Sequence, residues 1–261
     1  KSSNKLIEEF MLLANKKVAE KMRKSQERFV YRVHDQPDQE KLKNLQTIVK
    51  RLGYNLNLSP NILNDSLNSL LKNTFGKNEQ NLIDTLMIRS MSKAEYTTKN
   101  IGHYGLSFDN YTHFTSPIRR YPDVMVHRLI QAEIEGEKIK TDETESLCKH
   151  STHMEILATK AERDSIKLMQ IKFMKDKEGK TFDAVISGVV TRGIFVEVVE
   201  NKCEGLVKAK DLQGDFFVHD EKNHRFVGEK TGKKYQLGDK TRVMLIKADQ
   251  IKKRLDFQVL T

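Results

Sequence analysis

The sequence predicts an α+β protein with a mainly helical part over residues 1–178 and a small β-barrel over residues 179–261. Up to about residue 178, apolar side chains recur with the period of an α-helix. From Gly179 onward they alternate with the period of a β-strand. The 261 residues are enough for two domains, and no low-complexity linker separates the two patterns. We therefore expect two closely packed domains that meet near Gly179.

The first part is predicted to contain six helices. The first carries apolar residues at helical spacing, namely Leu6, Ile7, Phe10, Met11, Ala14 and Val18. An extended piece at residues 29–33 precedes a second helix, which ends at Gly53, a residue typical of helix C-termini. Two shorter helices are built on Leu67, Leu70, Leu71 and on Leu82, Ile83, Leu86, Met87. A polar loop over roughly residues 97–121 leads to a helix from Pro122 to near Gly136, and a long helix follows over roughly residues 141–176.

The second part is predicted to contain five short strands. The apolar residues that indicate these strands are Phe182, Ala184, Ile186; Ile194, Val196, Val198; Leu206, Val207; Val243, Leu245; and Leu255, Phe257, Val259. A polar loop of roughly 30 residues separates the third strand from the fourth. This arrangement is typical of a five-stranded OB-type barrel, with a small SH3-like barrel or an open sheet as the alternative.

Composition restricts the partners and the compartment. Lys and Arg number 46 against 36 Asp and Glu, so the formal net charge is +10. Such an excess suits a polyanion, either a nucleic acid or an anionic membrane surface, although a lysine-rich surface without a partner fits equally well. The two cysteines, Cys148 and Cys203, fall in different predicted domains, which argues against a disulfide framework. No apolar run approaches the ~20 residues of a membrane helix, and we expect a cytoplasmic protein.

The most informative segment runs from residue 111 to residue 123. Two adjacent arginines, Arg119 and Arg120, lie just before a predicted helix N-terminus at Pro122. Arginine binds phosphate bidentately, and a helix N-terminus adds N–H donors and a favourable dipole. The segment also supplies two hydroxyl groups, those of Thr115 and Ser116. These residues predict a site for one phosphate of a nucleic acid. The alternative is an ordinary loop whose arginines pair with neighbouring acids such as Asp123.

The stretch His113-Phe-Thr-Ser-Pro-Ile-Arg-Arg-Tyr-Pro-Asp123, continued by His127-Arg128, closely resembles the signature of the ribonuclease R/ribonuclease II (RNB) catalytic domain. Further similar stretches occur in the same order, at residues 7–15, 31–37, 86–92, 103–106 and 161–164. The barrel resembles the S1 domain that follows in these enzymes, and its form favours the ribonuclease R branch. The resemblance therefore covers essentially the whole chain.

The resemblance implies a processive 3′→5′ exoribonuclease that hydrolyses single-stranded or structured RNA to nucleoside monophosphates. Arg119 would contact the phosphate at the reaction centre and stabilise charge in the transition state. Glu8 or Glu9 would lie near the 3′-terminal nucleotide, and Glu162 near the exit route of the product. From the residues alone, a solvated helix face is the preferred interpretation of the two adjacent glutamates.

The family implies Mg²⁺, bound by an aspartate cluster of the form D-x-x-x-x-x-D-x-D-D. This chain has no such cluster, since Asp35, Asp38, Asp109 and Asp123 are scattered. We therefore expect the metal ligands, and the family's cold-shock domains, to lie upstream of Lys1. The hypothesis is a C-terminal fragment of a nuclease that is inactive alone. The alternative is a non-catalytic RNA-binding protein with a degenerate channel.

The barrel is expected to bind single-stranded RNA by stacking bases on aromatic rings inside a basic groove. Candidate rings are Phe182, Phe195, Phe216 and Phe217, of which Phe182 and Phe195 could instead face the core. Lys208 occupies the position where the S1 pattern often has a histidine. A lysine at this position favours attraction of a phosphate over stacking on a base. The loop is basic further on, at Lys222, Arg225, Lys230, Lys233 and Lys234. A further alternative assigns the barrel to the ribosome or an RNA-decay factor. The histidines show no metal-binding pattern, and packing or surface roles are favoured.

Overall fold

A computed structural model describes residues 2–25, 29–77, 79–137 and 143–260, without the side chains of Ser25 and Lys222. The start of the chain at Lys1 and the predicted helix residues 141–142 thus lie outside the described residues. Two compact units result: Lys1–Asp38 with Met91–Lys160, and Gln39–Ser90 with Ala161–Thr261. We call them unit 1 and unit 2. They divide the chain at other points than the predicted boundary at residues 178/179, which stays a prediction.

The predicted helices are confirmed within a few residues of their expected bounds. In chain order the elements of the first part are α1 (Ser2–Ser25), β1 (Tyr31–His34), α2 (Gln39–Arg51), α3 (Leu63–Thr74), α4 (Gln80–Ser90), β2 (Ala94–Thr97), α5 (Tyr121–Glu135) and α6 (Thr144–Met174). Strand β2 was not expected, and it pairs antiparallel with β1, the predicted extended piece. A four-residue strand shows no clear alternation in sequence, and here the ladder with β1 stabilises it.

Unit 1 packs α1, α5 and the β1–β2 ribbon around one apolar core. The core includes Met22, Phe29, Val33, Val126 and Leu129. The apolar stripe predicted on α1 is only partly buried: Leu6, Ile7 and Phe10 are 57–59% exposed. Its last member, Val18, is partly buried and packs against the core, to which α1 also contributes the buried Ala19 and Met22.

The second part contains β3 (Thr181–Val190), β4 (Gly193–Val198), β5 (Glu204–Lys208), β6 (Phe217–Asp220), β7 (Arg225–Gly228), β8 (Lys234–Gln236), β9 (Lys240–Asp249) and β10 (Arg254–Val259). Five of these strands close into a barrel in the order β10-β5-β4-β3-β9. The predicted five-stranded barrel is therefore confirmed, and the open sheet is excluded. At Gly193 a Cβ would lie 2.1 Å from the carbonyl oxygen of Val207, so β4 and β5 require glycine there.

The predicted 30-residue polar loop is wrong in one respect, because most of it forms a three-stranded antiparallel sheet, β6-β7-β8. Phe217, Phe226 and Tyr235 from this sheet join the barrel core. These strands were not predicted because the segment is rich in charged residues. A short strand needs apolar side chains only at alternate positions, so its sequence pattern is weak. Within the described residues no helix is long and apolar enough to cross a membrane.

Candidate functional site

A pocket of about 380 Å³ opens between α1 and the loop that precedes α5, entirely within unit 1. The loop contributes Tyr111, Thr115, Ser116, Arg119 and Arg120 to the lining, and α1 contributes Asn4, Ile7, Glu8, Met11, Leu12 and Asn15. The structure thus brings together four of the predicted loop residues, and it adds Glu8 from a helix about 100 residues earlier in the chain.

Asn15 fixes the loop to α1. Its side chain is 4% exposed, and its Oδ1 accepts hydrogen bonds from the backbone N–H groups of Phe114 (3.0 Å) and Thr115 (3.2 Å). Its Nδ2 donates to the hydroxyl oxygen of Tyr111 at 3.1 Å. The sequence analysis did not select Asn15 as a site residue. The available signal was its place on the apolar stripe of α1, four residues after Met11, where a polar side chain needs a buried partner.

Asp123 fixes the other end of the loop. It lies in the first turn of α5, is fully buried, and its Oδ1 accepts hydrogen bonds from the backbone N–H of Ser116 and from the Arg120 guanidinium, both at 2.8 Å. An acid in the first turn also suits the helix dipole. The pairing with a neighbouring acid that the sequence left open therefore holds for Arg120. Arg120 still lines the pocket, but one side of its guanidinium is occupied by Asp123.

Arg119 differs from its neighbour. Its side chain is exposed, it lines the pocket, and it has no ion-pair partner within the described parts of the chain. Backbone hydrogen bonds from the N–H groups of Arg119 and Arg120 to the carbonyl oxygen of Ser116 close the turn that carries both arginines. The structure therefore holds the backbone of Arg119 firmly and leaves its guanidinium free for an anion.

Three polar atoms of this loop are buried and lack hydrogen-bond partners among the described residues. They are Oγ1 of Thr115, Nε of Arg120 and Oδ2 of Asp123. Buried polar atoms normally have a partner. Thr115 lines the pocket, but its hydroxyl oxygen is buried, so a ligand in the pocket meets that hydroxyl only after a rotation of the side chain.

The predicted glutamates separate in the structure. Glu8 is exposed and lines the pocket, whereas Glu9 is exposed outside the lining. Glu162 lies in an exposed stretch of α6 and belongs to unit 2. The solvated helix face, which the sequence left open for both adjacent glutamates, is what the structure shows for Glu9.

A cluster of packed tyrosine and histidine rings stabilises the loop. Ring centroids lie 5.7 Å apart for Tyr111 and His113, and 5.6 Å apart for His113 and Tyr96. The Tyr96 hydroxyl and Nδ1 of His113 are 2.8 Å apart. Burial, reinforced by the charges of Arg120 and Arg32, lowers the pKa of His113 to about 3, and burial raises the pKa of Tyr96 to about 12. Both rings are therefore uncharged near neutral pH.

In unit 2, the alternation on β4 leaves one aromatic ring on the outer face. Ile194, Val196 and Val198 are fully buried, and Phe195 is half-buried on the opposite side. A groove of about 520 Å³ beside Phe195 is also lined by four basic residues of the barrel, Arg192, Lys252, Lys253 and Arg254. A ring flanked by cations can stack on a base.

The other predicted barrel residues need corrections. Phe217 is only 9% exposed and packs on Tyr235, with ring centroids 5.2 Å apart, so its ring cannot stack on RNA. Phe182 packs against the barrel core, which the sequence had left open. Phe216 is 69% exposed and remains available. Nζ of Lys208 lies 3.5 Å from Oδ2 of Asp256, so a carboxylate offsets the charge predicted to attract phosphate.

The described residues do not fit a metal site. Among them no group of three or more His, Cys, Asp or Glu side chains lies close enough to hold an ion. Asp123, the acid nearest to Arg119 in the sequence, has one oxygen engaged by Ser116 and Arg120. We therefore derive no step through a metal from this chain.

Comparisons with known proteins find one family of relatives for nearly the whole chain. The RNB domain model matches residues 1–136, and the S1 RNA binding domain model matches residues 175–260. Ribonuclease R of Aquifex aeolicus is 39% identical over 262 residues, which cover 99% of this chain and 37% of that relative. The structure of Mycoplasma genitalium RNase R in complex with ribose methylated single-stranded RNA matches with a TM-score of 0.89 and 28% identity, over 97% of this chain and 41% of that one. Yeast Ssd1, a pseudonuclease, shares the fold with a TM-score of 0.65 at 22% identity, over 92% of this chain and 29% of that one.

Proposed function

The chain belongs to the RNB family of ribonucleases, and we propose that it forms the phosphate-binding part of a ribonuclease R-like 3′→5′ exoribonuclease that releases nucleoside monophosphates. It spans 37% of the Aquifex aeolicus relative, so the activity concerns a longer protein. The observation that carries the proposal is the unpaired, exposed guanidinium of Arg119 on a turn held in place at both ends. The match to an RNase R structure that contains single-stranded RNA supports RNA as the ligand.

The pocket gives each residue a role toward one backbone phosphate. Arg119 donates two hydrogen bonds to the non-bridging oxygens and stabilises the negative charge that grows on them during hydrolysis. Thr115 adds its hydroxyl, which has no partner within the described residues, after a rotation of the side chain, and Glu8 accepts from a ribose hydroxyl of the terminal nucleotide. Arg120 acts indirectly, because its ion pair with Asp123 shapes the turn. Glu162 is assigned to the exit route of the product.

Mg²⁺ would supply the nucleophile and further charge stabilisation in the longer protein. Its ligands are expected outside this chain, because the described residues hold no suitable cluster. The proposal therefore includes that the purified chain binds RNA but does not hydrolyse it. The barrel adds RNA contacts through Phe195, Phe216 and the basic residues beside them. A cytoplasmic location and contacts with the ribosome or RNA-decay factors stay predictions.

The test incubates the purified chain with an end-labelled single-stranded RNA and Mg²⁺. We expect a bound RNA of unchanged length. Shortened products that form equally well with Arg119→Ala would contradict both the inactivity of the chain and the role of Arg119. Products that disappear with Arg119→Ala would contradict the inactivity alone.

The second candidate is a non-catalytic RNA-binding protein, and the fold shared with a yeast pseudonuclease supports it. Sequencing the coding DNA upstream of Lys1 distinguishes the two. A D-x-D-D cluster in the same reading frame supports the nuclease. An upstream region without such aspartates, or a start codon at Lys1, supports the RNA-binding protein.

A further inference from the structure

Unit 2 contains a second basic depression, away from the ring of Phe195. A cleft of about 640 Å³ lies between the start of α4 and the strands β3, β8, β9 and the end of β10. Five basic residues line it, Lys77, Lys233, Lys234, Lys240 and Arg242. We call it the basic cleft. Asp239 is the one acidic residue in its lining.

The cations of the basic cleft are available to a ligand. All five side chains are exposed, and within the described ranges none of them forms an ion pair with a carboxylate. Lys77 is engaged only with Tyr54, through a hydrogen bond of 3.0 Å and the face of its ring. The single acid is occupied, since Oδ2 of Asp239 accepts from the backbone N–H of Gln236 at 2.9 Å. Lys233 lies over the ring of Tyr235, with its Nζ 5.1 Å from the ring centroid. An incoming anion therefore meets a net positive surface whose charges no carboxylate of the described ranges neutralises through an ion pair.

The walls of the cleft are held together closely. At Gly238, which has a φ of +92°, an added Cβ would lie 3.2 Å from the backbone nitrogen of Leu82 on α4. Gly238 also donates its N–H to the carbonyl oxygen of Ile186 at 2.8 Å, and Ile186 donates to Asp239 at 2.9 Å. Leu82 and Leu237 are buried on either side of this approach. The basic residues thus project from a packed junction rather than from a loose loop.

The side chains of the basic cleft suit the phosphate backbone of a nucleic acid, but they offer no aromatic ring on which a base could stack. Its one aromatic residue, Tyr235, is 5% exposed and packs on Phe217, so no ring is offered for stacking. The groove beside Phe195, in contrast, combines cations with an accessible ring. Five cations spread along one cleft suit a chain of phosphates better than a single one.

We infer that the basic cleft binds the phosphodiester backbone of an RNA strand without base preference, as a second RNA contact of unit 2. The inference rests on the proposed function, because RNA is the polyanionic ligand that we propose for this chain as a member of the RNB family.

The experiment measures the affinity of the full chain for a labelled single-stranded RNA across salt concentrations. The variant is Lys234→Gln with Lys240→Gln. The control is Lys43→Gln with Lys72→Gln, which removes the same charge from exposed positions on α2 and α3. Each lost phosphate contact lowers the slope of log affinity against log salt by about 0.7 on a single strand. The slope of the cleft variant should therefore be smaller in magnitude than that of the wild type by about 1.4. Between about 50 and about 200 mM salt, the fold loss of affinity of the variant should then be about sevenfold smaller than that of the wild type. The control should keep the slope of the wild type.

A cleft variant that keeps the wild-type slope while the wild type binds RNA would overturn this inference alone. A wild type that does not bind RNA would overturn the proposed function as well. A nucleoside monophosphate and a polyphosphate, each added as competitor, separate the sources of phosphate. Competition by the polyphosphate only is expected, and equal competition by the monophosphate at the same phosphate concentration would overturn a backbone site. Should the first pair not fold, Lys233→Gln with Arg242→Gln provides the same test, with thermal melting as the check on folding.

Discussion

The loop of Arg119 in unit 1 and the basic cleft in unit 2 suit the same chemical group, a phosphate, but they are built differently. The loop presents one free guanidinium on a backbone fixed by two buried side chains, Asn15 and Asp123. The cleft presents five exposed cations on a packed junction, without a buried polar network around them. The loop therefore fixes the position of one positive charge, whereas the basic cleft concentrates several positive charges on one surface.

This difference decides what each region tolerates. A site that depends on position fails when a buried hydrogen bond is lost, even if the free charge is kept. A site that depends on accumulated charge loses affinity in small, roughly equal steps. The loop is therefore suited to chemistry at one phosphate, and the cleft to holding a strand. Substitutions in the two regions should therefore differ in the size of their effects.

Asp123→Ala should have the largest effect. It leaves the partly buried guanidinium of Arg120 without its partner and the N–H of Ser116 without its acceptor. We expect a loss of about 3–5 kcal/mol in the free energy of unfolding, measured by urea denaturation. Asp65→Ala, at an exposed position in the first turn of α3, is the control. A loss of less than about 1 kcal/mol would mean that the loop is not held by the buried network.

Asn15→Leu keeps the size of the side chain and removes its hydrogen bonds. The N–H groups of Phe114 and Thr115 and the hydroxyl of Tyr111 lose their partner, and a buried unsatisfied group costs about 1–3 kcal/mol. We expect a loss in that range and weaker RNA binding, although Arg119 is untouched. Asn68→Leu on the exposed face of α3 should change neither quantity. Equal effects of the two substitutions would contradict the positional account.

Acid should weaken unit 1 before it protonates the folded histidines. Burial lowers the pKa of His113 to about 3 and that of His103 to about 4, against an ordinary value of 6.5. Between pH 6.5 and these values the unfolded chain binds protons that the folded chain excludes, so stability falls as the pH falls. Urea midpoints measured at several pH values should show this slope, and His113→Gln should reduce it. The exposed His153→Gln should leave the slope unchanged, and a flat profile in the wild type would contradict the burial of neutral rings.

Lys208→Gln should have the smallest effect. The largely buried Asp256 already offsets the charge of Lys208, so little of that charge is left to attract a phosphate. RNA affinity should change less than with Lys252→Gln, which removes a cation from the groove beside Phe195. Titration of both variants with the same RNA measures the difference. A larger effect of Lys208→Gln would show that accumulated charge alone does not describe the barrel surface.

The sequence predicted the elements and the loop because periodicity and a contiguous motif need no tertiary information. Helical spacing located α1, strand spacing located the barrel, and the motif located Arg119 within one segment. The sequence could not assign different roles to Arg119 and Arg120, because only the fold shows that the buried Asp123 pairs with Arg120. It also could not separate Phe216 from Phe217, since only the fold shows that β6 begins at Phe217 and that the ring of Phe217 is buried. The basic cleft combines Lys77, from the turn before α4, with Arg242 of β9, so no local sequence pattern predicts it.

The central claim is that the free guanidinium of Arg119 binds an RNA phosphate from a preorganised turn. The most direct measurement compares the affinity of the wild type, Arg119→Gln and Arg89→Gln for a short single-stranded RNA at one salt concentration. Arg89 is an exposed arginine of α4 and serves as the matched control. We predict at least about tenfold weaker binding for Arg119→Gln, which corresponds to one charge-assisted hydrogen-bonded contact, with an unchanged melting temperature. Equal affinities of the two variants would contradict the claim.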